Sequence, residues 1–292
     1  MIGIILAGGT GSRLSPITNA VNKHLIPIYD KPMIFYPLAT LLSAGIKEIL
    51  IITRPNDSNL FSSLLGNGEE LGVSLKYAVQ PNPGGLAEAF VIGRDFIAGR
   101  PSCLILGDNV FHGSGLGRQL VEHQEVTGAH IFAYKVSNPQ AYGVVQFGNG
   151  GEVTSIEEKP KNPKSNYAIP GLYFFDNKVA EIASQVKPSL RGEREISDVL
   201  NQYLNQNQLK VTVLPRGTAW LDTGSFSSLN DASNFIRIIE ERQGQQIANL
   251  PEISWRQGWI SNKQLAEIAD NSNSYNGTYL RDLLRNEIER EW

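Results

Sequence analysis

The chain has 292 residues, of which 41% are apolar and 19% charged, and its formal net charge is −3. These values are typical of an ordered globular protein with a sizeable core, and the charge gives no reason to expect binding to nucleic acid or to a membrane surface. No apolar run approaches the roughly 20 residues of a membrane span. No basic leader precedes the first apolar run, and the single cysteine excludes an intrachain disulfide. We therefore expect a cytoplasmic protein.

Strand-like and helix-like patterns alternate through the first half of the chain. Apolar runs predict strands at 2–6, 48–53, 75–80 and 103–106, and helical patterns predict helices at 33–44, 57–65 and 86–97. This alternation predicts an α/β fold with a Rossmann-like, mostly parallel sheet flanked by helices. In such sheets ligands bind beyond the carboxyl ends of the strands.

The second half predicts shorter strands and then helices. Strands are expected at 131–136, 144–147, 153–157, 172–175 and 211–214, which makes the part at about 129–224 β-rich and antiparallel or mixed. A long helix is expected at 225–243. Residues 250–292 are predicted to be mainly helical, with a polar break at 271–276. We therefore predict a main domain at 1–243 and a helical C-terminal appendage at 244–292.

The N-terminal segment MIGIILAGGTGSRL carries the clearest chemical signal. A predicted strand runs into Gly8, Gly9 and Gly11, with Arg13 close behind. Backbone N–H groups of such a turn can cradle a phosphate, and a guanidinium matches phosphate oxygens. The segment lacks the lysine of a P-loop, and Leu14 stands where the dinucleotide fingerprint has its last glycine, which argues against an NAD-dependent dehydrogenase. A plain tight turn is the alternative for these glycines.

Charged residues that follow predicted strands suggest where a metal and a triphosphate would bind. Asp108 follows the strand of LILGDN, and Asp222 follows the apolar run of AWLDTG. Two such carboxylates suit Mg²⁺, which takes its other ligands from water and phosphates. Lys23 lies in a proline-containing loop near the glycines, where it can neutralise phosphates. Helix capping by the aspartates and a solvated lysine are the alternatives, and Lys31 fits the latter better than Lys23.

Two further segments suit a sugar phosphate and a nucleobase. Glu158 and Lys159 end a predicted strand, and their side chains point to opposite faces unless the chain bends at Pro160. Gln80 ends another strand, and its donor and acceptor match the imide edge of thymine or uracil, while Gly85 would let the base approach the backbone. A solvated turn and an ordinary strand end are the alternatives. The sequence offers no Ser-His-Asp or Cys-His arrangement, which favours phosphoryl or nucleotidyl transfer.

Together these motifs resemble the glucose-1-phosphate thymidylyltransferases of the sugar nucleotidyltransferase family. The matching segments are LAGGTGSRL (6–14), NKHLIPIYDKPMIFYPL (22–38), QPNPGGLAEAF (80–90), LGDNVFHG (106–113), YGVVQF (142–147), EEKPKNPKSNYAIPGLYFFD (157–176), RGEREISD (191–198), AWLDTGSFSSL (219–229) and SNFIRIIEERQG (233–244). The resemblance covers nearly the whole chain. It implies the nucleotidyltransferase fold, with a nucleotide-binding part at about 1–128 and a sugar-binding part at about 129–224.

The resemblance also implies a reaction and a role for individual residues. The reaction is attack of α-D-glucose 1-phosphate on dTTP, giving dTDP-glucose and pyrophosphate, with Mg²⁺ as cofactor. Nucleotide binding is implied for Leu6, Gly8, Gly9, Gly11, Ser12, Arg13, Lys23, His24, Gln80, Gly85 and Asp108. Sugar-phosphate binding is implied for Asn109, Gly143, Glu158, Lys159 and Ile169, and metal binding for Asp108 and Asp222. Catalysis is implied for Arg13, Lys23, Asp108, Lys159 and Asp222.

The family likeness further implies a homotetramer that serves nucleotide-sugar biosynthesis, such as that of dTDP-rhamnose, and is inhibited by a dTDP-sugar at a separate site between subunits. Two departures stand out. His24 replaces a glutamine, which predicts a pH dependence of nucleotide binding below about pH 6.5. Pro170 replaces a threonine and loses a hydroxyl and an N–H beside the sugar site. The alternatives are the same chemistry with UTP or another sugar 1-phosphate, and a nucleotide-sugar sensor without turnover.

Overall fold

The computed structural model describes residues 1–272 and 274–286, and a mixed sheet of ten strands forms its centre. The strands are β1 (Ile2–Ala7), β2 (Pro27–Ile28), β3 (Lys31–Pro32), β4 (Glu48–Thr53), β5 (Ser74–Val79), β6 (Ser102–Leu106), β7 (Asn109–His112), β8 (Ala129–Lys135), β9 (Gly143–Phe147), β10 (Val153–Glu158), β11 (Tyr167–Ala168), β12 (Leu172–Phe175), β13 (Leu209–Val213) and β14 (Ala219–Asp222). The central sheet has the order β10-β9-β11-β8-β12-β6-β1-β4-β5, and β13 pairs with β8.

Helices cover both faces of this sheet. They are α1 (Phe35–Ser43), α2 (Ser58–Leu65), α3 (Glu88–Ile92), α4 (Arg94–Ile97), α5 (Leu116–Val121), α6 (Val179–Gln185), α7 (Ile196–Asn205), α8 (Phe226–Gln243), α9 (Leu250–Arg256), α10 (Asn262–Asp270) and α11 (Tyr275–Asn286). Among the residues that the structure describes, no helix has both the length and the apolar character needed to cross a membrane.

The N-terminal half of the sheet is parallel, as predicted. Strands β6, β1, β4 and β5 run in the same direction, with Ile5 opposite both Ile51 and Ile105. Neighbouring residues of β1 enter different cores because side chains alternate across a strand. Ile4 packs in one core with Phe90, and Ile5 packs in the other. The carboxyl ends of the four strands therefore share one edge, beyond which ligands bind in sheets of this kind.

The predicted β-rich part extends the same sheet and introduces antiparallel pairs. Strand β12 lies antiparallel between β6 and β8, and β9, β10 and β11 pair antiparallel beyond them. The predicted strands are confirmed with bounds within two residues of those observed. The predicted helix at 86–97 is wrong in one respect, because it is divided at Gly93 into α3 and α4. A β-carbon on Gly93 would lie 3.0 Å from the Ala89 carbonyl oxygen, so the chain passes close to its own backbone there.

Two short ribbons were not predicted. Strands β2 and β3 pair antiparallel, which delays the first helix from residue 33 to Phe35. Strands β7 and β14 form a separate antiparallel pair that places Asp222 opposite Asn109. This second ribbon joins two segments more than a hundred residues apart at the carboxyl edge of the sheet, and it brings the two predicted metal ligands into one region.

The C-terminal part is helical, as predicted, over the residues that are described. Helices α10 and α11 bury a small core of their own, formed by Ile260, Leu265, Ala269, Tyr279, Leu280 and Leu283. Helix α9 packs against α1 and connects this unit to the main sheet. The helical prediction for 287–292 lies outside the described residues.

Candidate active site

The carboxyl ends of three parallel strands meet around Gly8. Gly8 follows β1, Gln80 follows β5, and Asp108 follows β6 after one glycine. Gln80 and Gly8 are in direct contact, since a β-carbon on Gly8 would collide with the Gln80 Oε1 atom. The Leu6 carbonyl accepts a hydrogen bond of 3.0 Å from the Gly107 N–H, which joins the end of β1, just before Gly8, to the residue that precedes Asp108.

Gly11 shapes the loop that was predicted to hold phosphates. Its φ angle is +64°, and a β-carbon there would lie 2.8 Å from Thr18 Cγ2 and 3.0 Å from Lys23 Cβ. Both the backbone conformation and the close packing therefore require glycine. Ser12 to Leu14 form a 3₁₀ turn after it, and Ser12 and Arg13 are exposed, as is Gly9 before it. The loop presents an accessible guanidinium at the edge of the site.

Lys23 is a buried cation that pairs with Asp108. Its ammonium lies 2.5 Å from the Asp108 Oδ2 atom, and its side chain is only 6% exposed. A solvated lysine, the alternative at the sequence level, is thereby excluded. Burial alone would raise the pKa of Asp108, but the charges of Lys23 and His24 and the hydrogen bonds from Lys23 and Asn109 outweigh it and lower that pKa. Asp108 is therefore held as a carboxylate at neutral pH.

Asp222 lies next to this pair through the β7–β14 ribbon. Burial raises the pKa of Asp222, and the nearby Asp108 charge raises it further, against smaller opposite effects of Lys23 and Arg13. Asp222 is half-buried rather than exposed. A β-carbon on Gly224 would lie 3.0 Å from an Arg13 guanidinium nitrogen and 3.1 Å from Asp222 Oδ1, so these two groups converge there. The site thus contains two carboxylates that repel each other, Asp108 and Asp222, and two cations, Lys23 and Arg13.

Asp108 and Asp222 are chemically suited to hold a divalent cation. Hard oxygen ligands suit Mg²⁺, which is commonly bound through one or two carboxylates and keeps water and phosphate ligands. A cation between Asp108 and Asp222 would relieve the repulsion that raises the pKa of Asp222. Among the described residues, no group of three or more His, Cys, Asp or Glu side chains is arranged to hold a metal ion. Asp108 and Asp222 are therefore the two carboxylates of this region that could hold such a cation, with its remaining ligands coming from water and phosphate.

Asn109 is a buried residue whose hydrogen bonds connect the two halves of the site. Its Nδ2 donates to Asp108 Oδ1 at 2.9 Å. Its Oδ1 accepts from the Gly171 N–H at 3.1 Å and from the Trp220 indole N–H at 2.6 Å. The side chain is buried, so its main visible role is to orient Asp108 and hold the 169–171 segment. The Ile169 N–H in turn donates to the Gly143 carbonyl at 2.8 Å.

Glu158 and Lys159 lie on the same side of the chain because the backbone bends. Lys159 has a φ angle of +43°, a left-handed conformation that breaks strand alternation just before Pro160. The Lys159 ammonium lies 3.8 Å from Glu158 Oε1. Burial raises the pKa of Glu158, while the Lys159 charge opposes it. The pairing of β10 with β9 places Glu158 opposite Gly143. A β-carbon on Gly143 would lie 3.4 Å from the Glu158 carboxylate.

Arg191 and Tyr142 belong to the site but were given no role from the sequence. An Arg191 guanidinium nitrogen lies 3.8 Å from Glu158 Oε1 and 2.8 Å from Glu195. The Tyr142 carbonyl accepts from the Lys159 N–H at 3.0 Å, and its ring packs 5.0 Å from Trp220. The dense charge of RGERE (191–195) was a usable signal for Arg191. Tyr142 begins the matching segment YGVVQF, but the sequence analysis assigned it no role.

His24 and Gly85 each have protein surroundings that account for the residue at that position. His24 is buried beneath Gly107, where a β-carbon would lie 2.7 Å from His24 Cδ2, and its Nδ1 lies 2.9 Å from Asn22 Oδ1. Burial lowers the pKa of His24 to about 4, so the expected change of charge near pH 6.5 is wrong. Gly85 has a φ angle of +96° and packs against the Arg194 backbone, which explains the glycine without any base.

Comparison with known proteins identifies the family. The model of a family described as nucleotidyl transferase matches residues 2–238. The chain belongs to the nucleotidyl transferase family. A Mycobacterium tuberculosis H37Rv relative named glucose-1-phosphate thymidylyltransferase is 55% identical over 97% of this chain and 99% of its own length. A Neisseria meningitidis serogroup A relative of the same name is 51% identical over 98% of this chain and 100% of its own.

Solved structures agree with this placement of the nucleotidyl transferase. A Bacillus anthracis crystal structure, described as a glucose-1-phosphate thymidylyltransferase in complex with sucrose, has a TM-score of 0.75 and 40% identity, covering 81% of this chain and 95% of that one. A UDP-glucose pyrophosphorylase complexed with UDP-glucose has a TM-score of 0.71 and 25% identity, covering 82% of this chain and 100% of that one. The predicted fold, a mixed sheet flanked by helices with a helical C-terminal part, is thus confirmed.

Proposed function

We propose that this nucleotidyl transferase moves the thymidylyl group of dTTP onto α-D-glucose 1-phosphate, giving dTDP-glucose and pyrophosphate. One structural observation carries the proposal. The Lys23–Asp108 pair is joined through Asn109 and Gly171 to the segment that supports Glu158 and Lys159. The residues that we propose to hold the triphosphate and the sugar phosphate are therefore connected by one network of hydrogen bonds. The named relatives at 55% and 51% identity support the same substrates.

The proposed reaction is a single displacement at phosphorus. A phosphate oxygen of glucose 1-phosphate forms a bond to the α-phosphorus of dTTP while the bond from that phosphorus to the α–β bridging oxygen breaks. Pyrophosphate leaves with the bonding electrons. The second pKa of a phosphate monoester is about 6, so the nucleophile is already mostly a dianion at neutral pH and needs no general base. Catalysis then depends on positioning and on charge stabilisation.

The basic residues supply most of this charge stabilisation in the proposal. Arg13 and Lys23 neutralise the triphosphate, with the glycine-loop N–H groups beside them, and Lys159 and Arg191 hold the sugar phosphate. Asp108 and Asp222 would hold Mg²⁺, which when bound neutralises charge on the phosphate oxygens. The buried Lys23 is fixed before substrate arrives, so little reorganisation is needed during the reaction.

The remaining predicted contacts define the two ends of the substrate site. Gln80 would read the base above Gly8, within a nucleotide-binding part at about 1–128. Glu158, Gly143 and the backbone around Ile169 would hold the glucosyl group, within a sugar-binding part at about 129–224. Thymine and uracil differ by one methyl group, which contributes only about 1 kcal/mol, so the preference of the base site for thymine over uracil is expected to be moderate.

We propose a homotetramer with feedback inhibition by a dTDP-sugar outside the active site. A cavity of about 930 Å³ lies between α1, the 111–118 turn and α9, away from the Lys23–Asp108 pair. Phe226 and Ile238 of α8 are about half exposed, at 48% and 49%, which suits contact between subunits. Titration of the enzyme with dTDP-sugars, read as non-competitive loss of rate, tests this proposal.

The proposed reaction is tested by pyrophosphate release with Mg²⁺ and glucose 1-phosphate against dTTP, UTP, CTP, ATP and GTP. Fastest release with dTTP is expected. Faster release with another nucleotide would overturn the thymidylyl assignment and keep the chemistry. Release with other sugar 1-phosphates but not with glucose 1-phosphate would reassign the acceptor. Binding of nucleotide without release under every condition would favour a nucleotide-sugar sensor.

A further inference from the structure

The orientation of the Gln80 amide is fixed by its neighbours. Its Nε2 donates to Glu88 Oε2 at 2.7 Å and to the Gly85 carbonyl at 3.3 Å. An ionised carboxylate and a backbone carbonyl can only accept hydrogen bonds. Both neighbours therefore require the nitrogen end of the amide. The opposite orientation would place the amide oxygen against two acceptors.

The oxygen end of the same amide is directed to the ligand side. Gln80 Oε1 lies against Gly8 at the carboxyl end of β1, where any side chain would collide with it. No donor among the described residues bonds to this oxygen. Gln80 itself is only 5% exposed, so the amide is buried beside Gly8. A ligand above Gly8 thus meets a fixed hydrogen-bond acceptor.

Glu88 is itself held in place by the loop before it. It is the first residue of α3 and is half-buried, and a β-carbon on Gly84 would collide with its carboxylate. The Gly84 carbonyl accepts from the Arg194 N–H at 2.8 Å, and the Arg194 carbonyl accepts from the Ala87 N–H at 3.2 Å. The loop is therefore tied at two points to one residue of another segment. This arrangement keeps the carboxylate in reach of Gln80.

We infer that Glu88 is a positioning residue that determines base specificity by fixing Gln80 with its oxygen toward the base. This role rests on the proposed function, because it requires the base to lie at Gln80. A fixed acceptor suits a base whose ring nitrogen carries a proton, such as N3–H of thymine or uracil. Cytosine presents an unprotonated N3 there, and two opposed acceptors leave both without a partner.

Two nucleotides isolate this effect. Both dUTP and dCTP lack the thymine methyl group, and they differ only at the imide edge. Wild-type kcat/KM is expected to favour dUTP by at least about 100-fold, because a site built around one hydrogen bond rejects the analogue without it. Glu88→Gln keeps the size of the side chain but offers both a donor and an acceptor, so the Gln80 amide can rotate by about 180° and exchange its oxygen and nitrogen. The dUTP to dCTP ratio should then fall by about tenfold or more, mainly through a lower KM for dCTP.

Two further variants separate positioning from general damage. Glu88→Asp retains an acceptor-only group, and its ratio should stay nearer the wild type. Asp95→Asn removes one exposed carboxylate from α4 and should leave the ratio unchanged. Equal losses of kcat/KM for dUTP and dCTP in Glu88→Gln, with the wild-type ratio retained, would overturn the inference.

Calorimetric binding of the two nucleotides distinguishes failure of the inference from failure of the proposed reaction. The binding ratio of dUTP to dCTP is measured without sugar phosphate, so it does not depend on transfer. A wild-type binding preference that Glu88→Gln removes would support the inference even without turnover. A wild type that binds both equally would overturn it.

Discussion

Removal of the Lys23 charge is the most informative single perturbation of the site. Lys23→Met keeps a long apolar side chain and leaves Asp108 without its ion-pair partner, which lies 2.5 Å away. Removing one side of a buried pair costs about 3–5 kcal/mol. The Asp108 side chain is 23% exposed, which places the expected loss of unfolding free energy at the lower end, about 3 kcal/mol. Loss of a fixed charge that stabilises the transition state should also lower kcat/KM by about 10²–10³-fold.

Lys31→Met is the matched control for this variant. The Lys31 side chain is 11% exposed and pairs with Asp30 at 2.5 Å and with Glu240 at 3.2 Å, outside the site. Urea unfolding should show losses of stability in both variants. Pyrophosphate release, measured where both are folded, should be lost only in Lys23→Met. Equal activity losses in the two variants would show that Lys23 acts through folding alone and would refute its catalytic role.

Four further outcomes are expected. Asp108→Asn should lose most turnover yet stay folded, because the amide still accepts from Lys23; near-wild-type rates at saturating magnesium would exclude a metal role. Lys159→Ala should raise the KM for glucose 1-phosphate more than that for dTTP in steady-state assays, and unchanged constants would contradict this. Trp220→Phe removes the indole N–H that donates to Asn109, and it should weaken Mn²⁺ binding about tenfold in calorimetry. An unchanged Mn²⁺ affinity would show that Asp108 is oriented without this hydrogen bond. Burial lowers the pKa of His130 from 6.5 to about 4, so the unfolded chain takes up a proton in this range before the folded one does. As the pH is lowered from about 6.5 to about 4, the free energy of unfolding of the wild type should therefore decrease by up to about 1.4 kcal/mol per pH unit. Urea unfolding of His130→Gln should show a smaller dependence of this free energy on pH.

The strand-end part of the site followed from local patterns. Apolar runs identified β1, β5 and β6, and parallel strands place their carboxyl ends at one edge. Gly8, Gln80 and Asp108 therefore lie close together in the structure, as the chain order indicated. The sequence left open whether the chain bends before Pro160, and the φ angle of +43° at Lys159 shows that it does.

The contacts between distant segments did not follow from local patterns. The approach of Asp222 to Asp108 depends on the β7–β14 ribbon, whose strands have four residues each and no periodicity long enough to reveal their pairing. The burial of His24 depends on Gly107, which is distant in sequence. The sequence pattern predicts Glu88 only as an ordinary helix residue, because its contact with the Gln80 amide is visible only in the folded structure.

The central claim is tested most directly by ³¹P NMR of the wild-type enzyme with dTTP, glucose 1-phosphate and Mg²⁺. Signals of dTDP-glucose and pyrophosphate should grow in equal amounts as those of both substrates decline together. Conversion of dTTP to dTMP and pyrophosphate with glucose 1-phosphate untouched, or no change in either substrate, would contradict the proposed thymidylyl transfer.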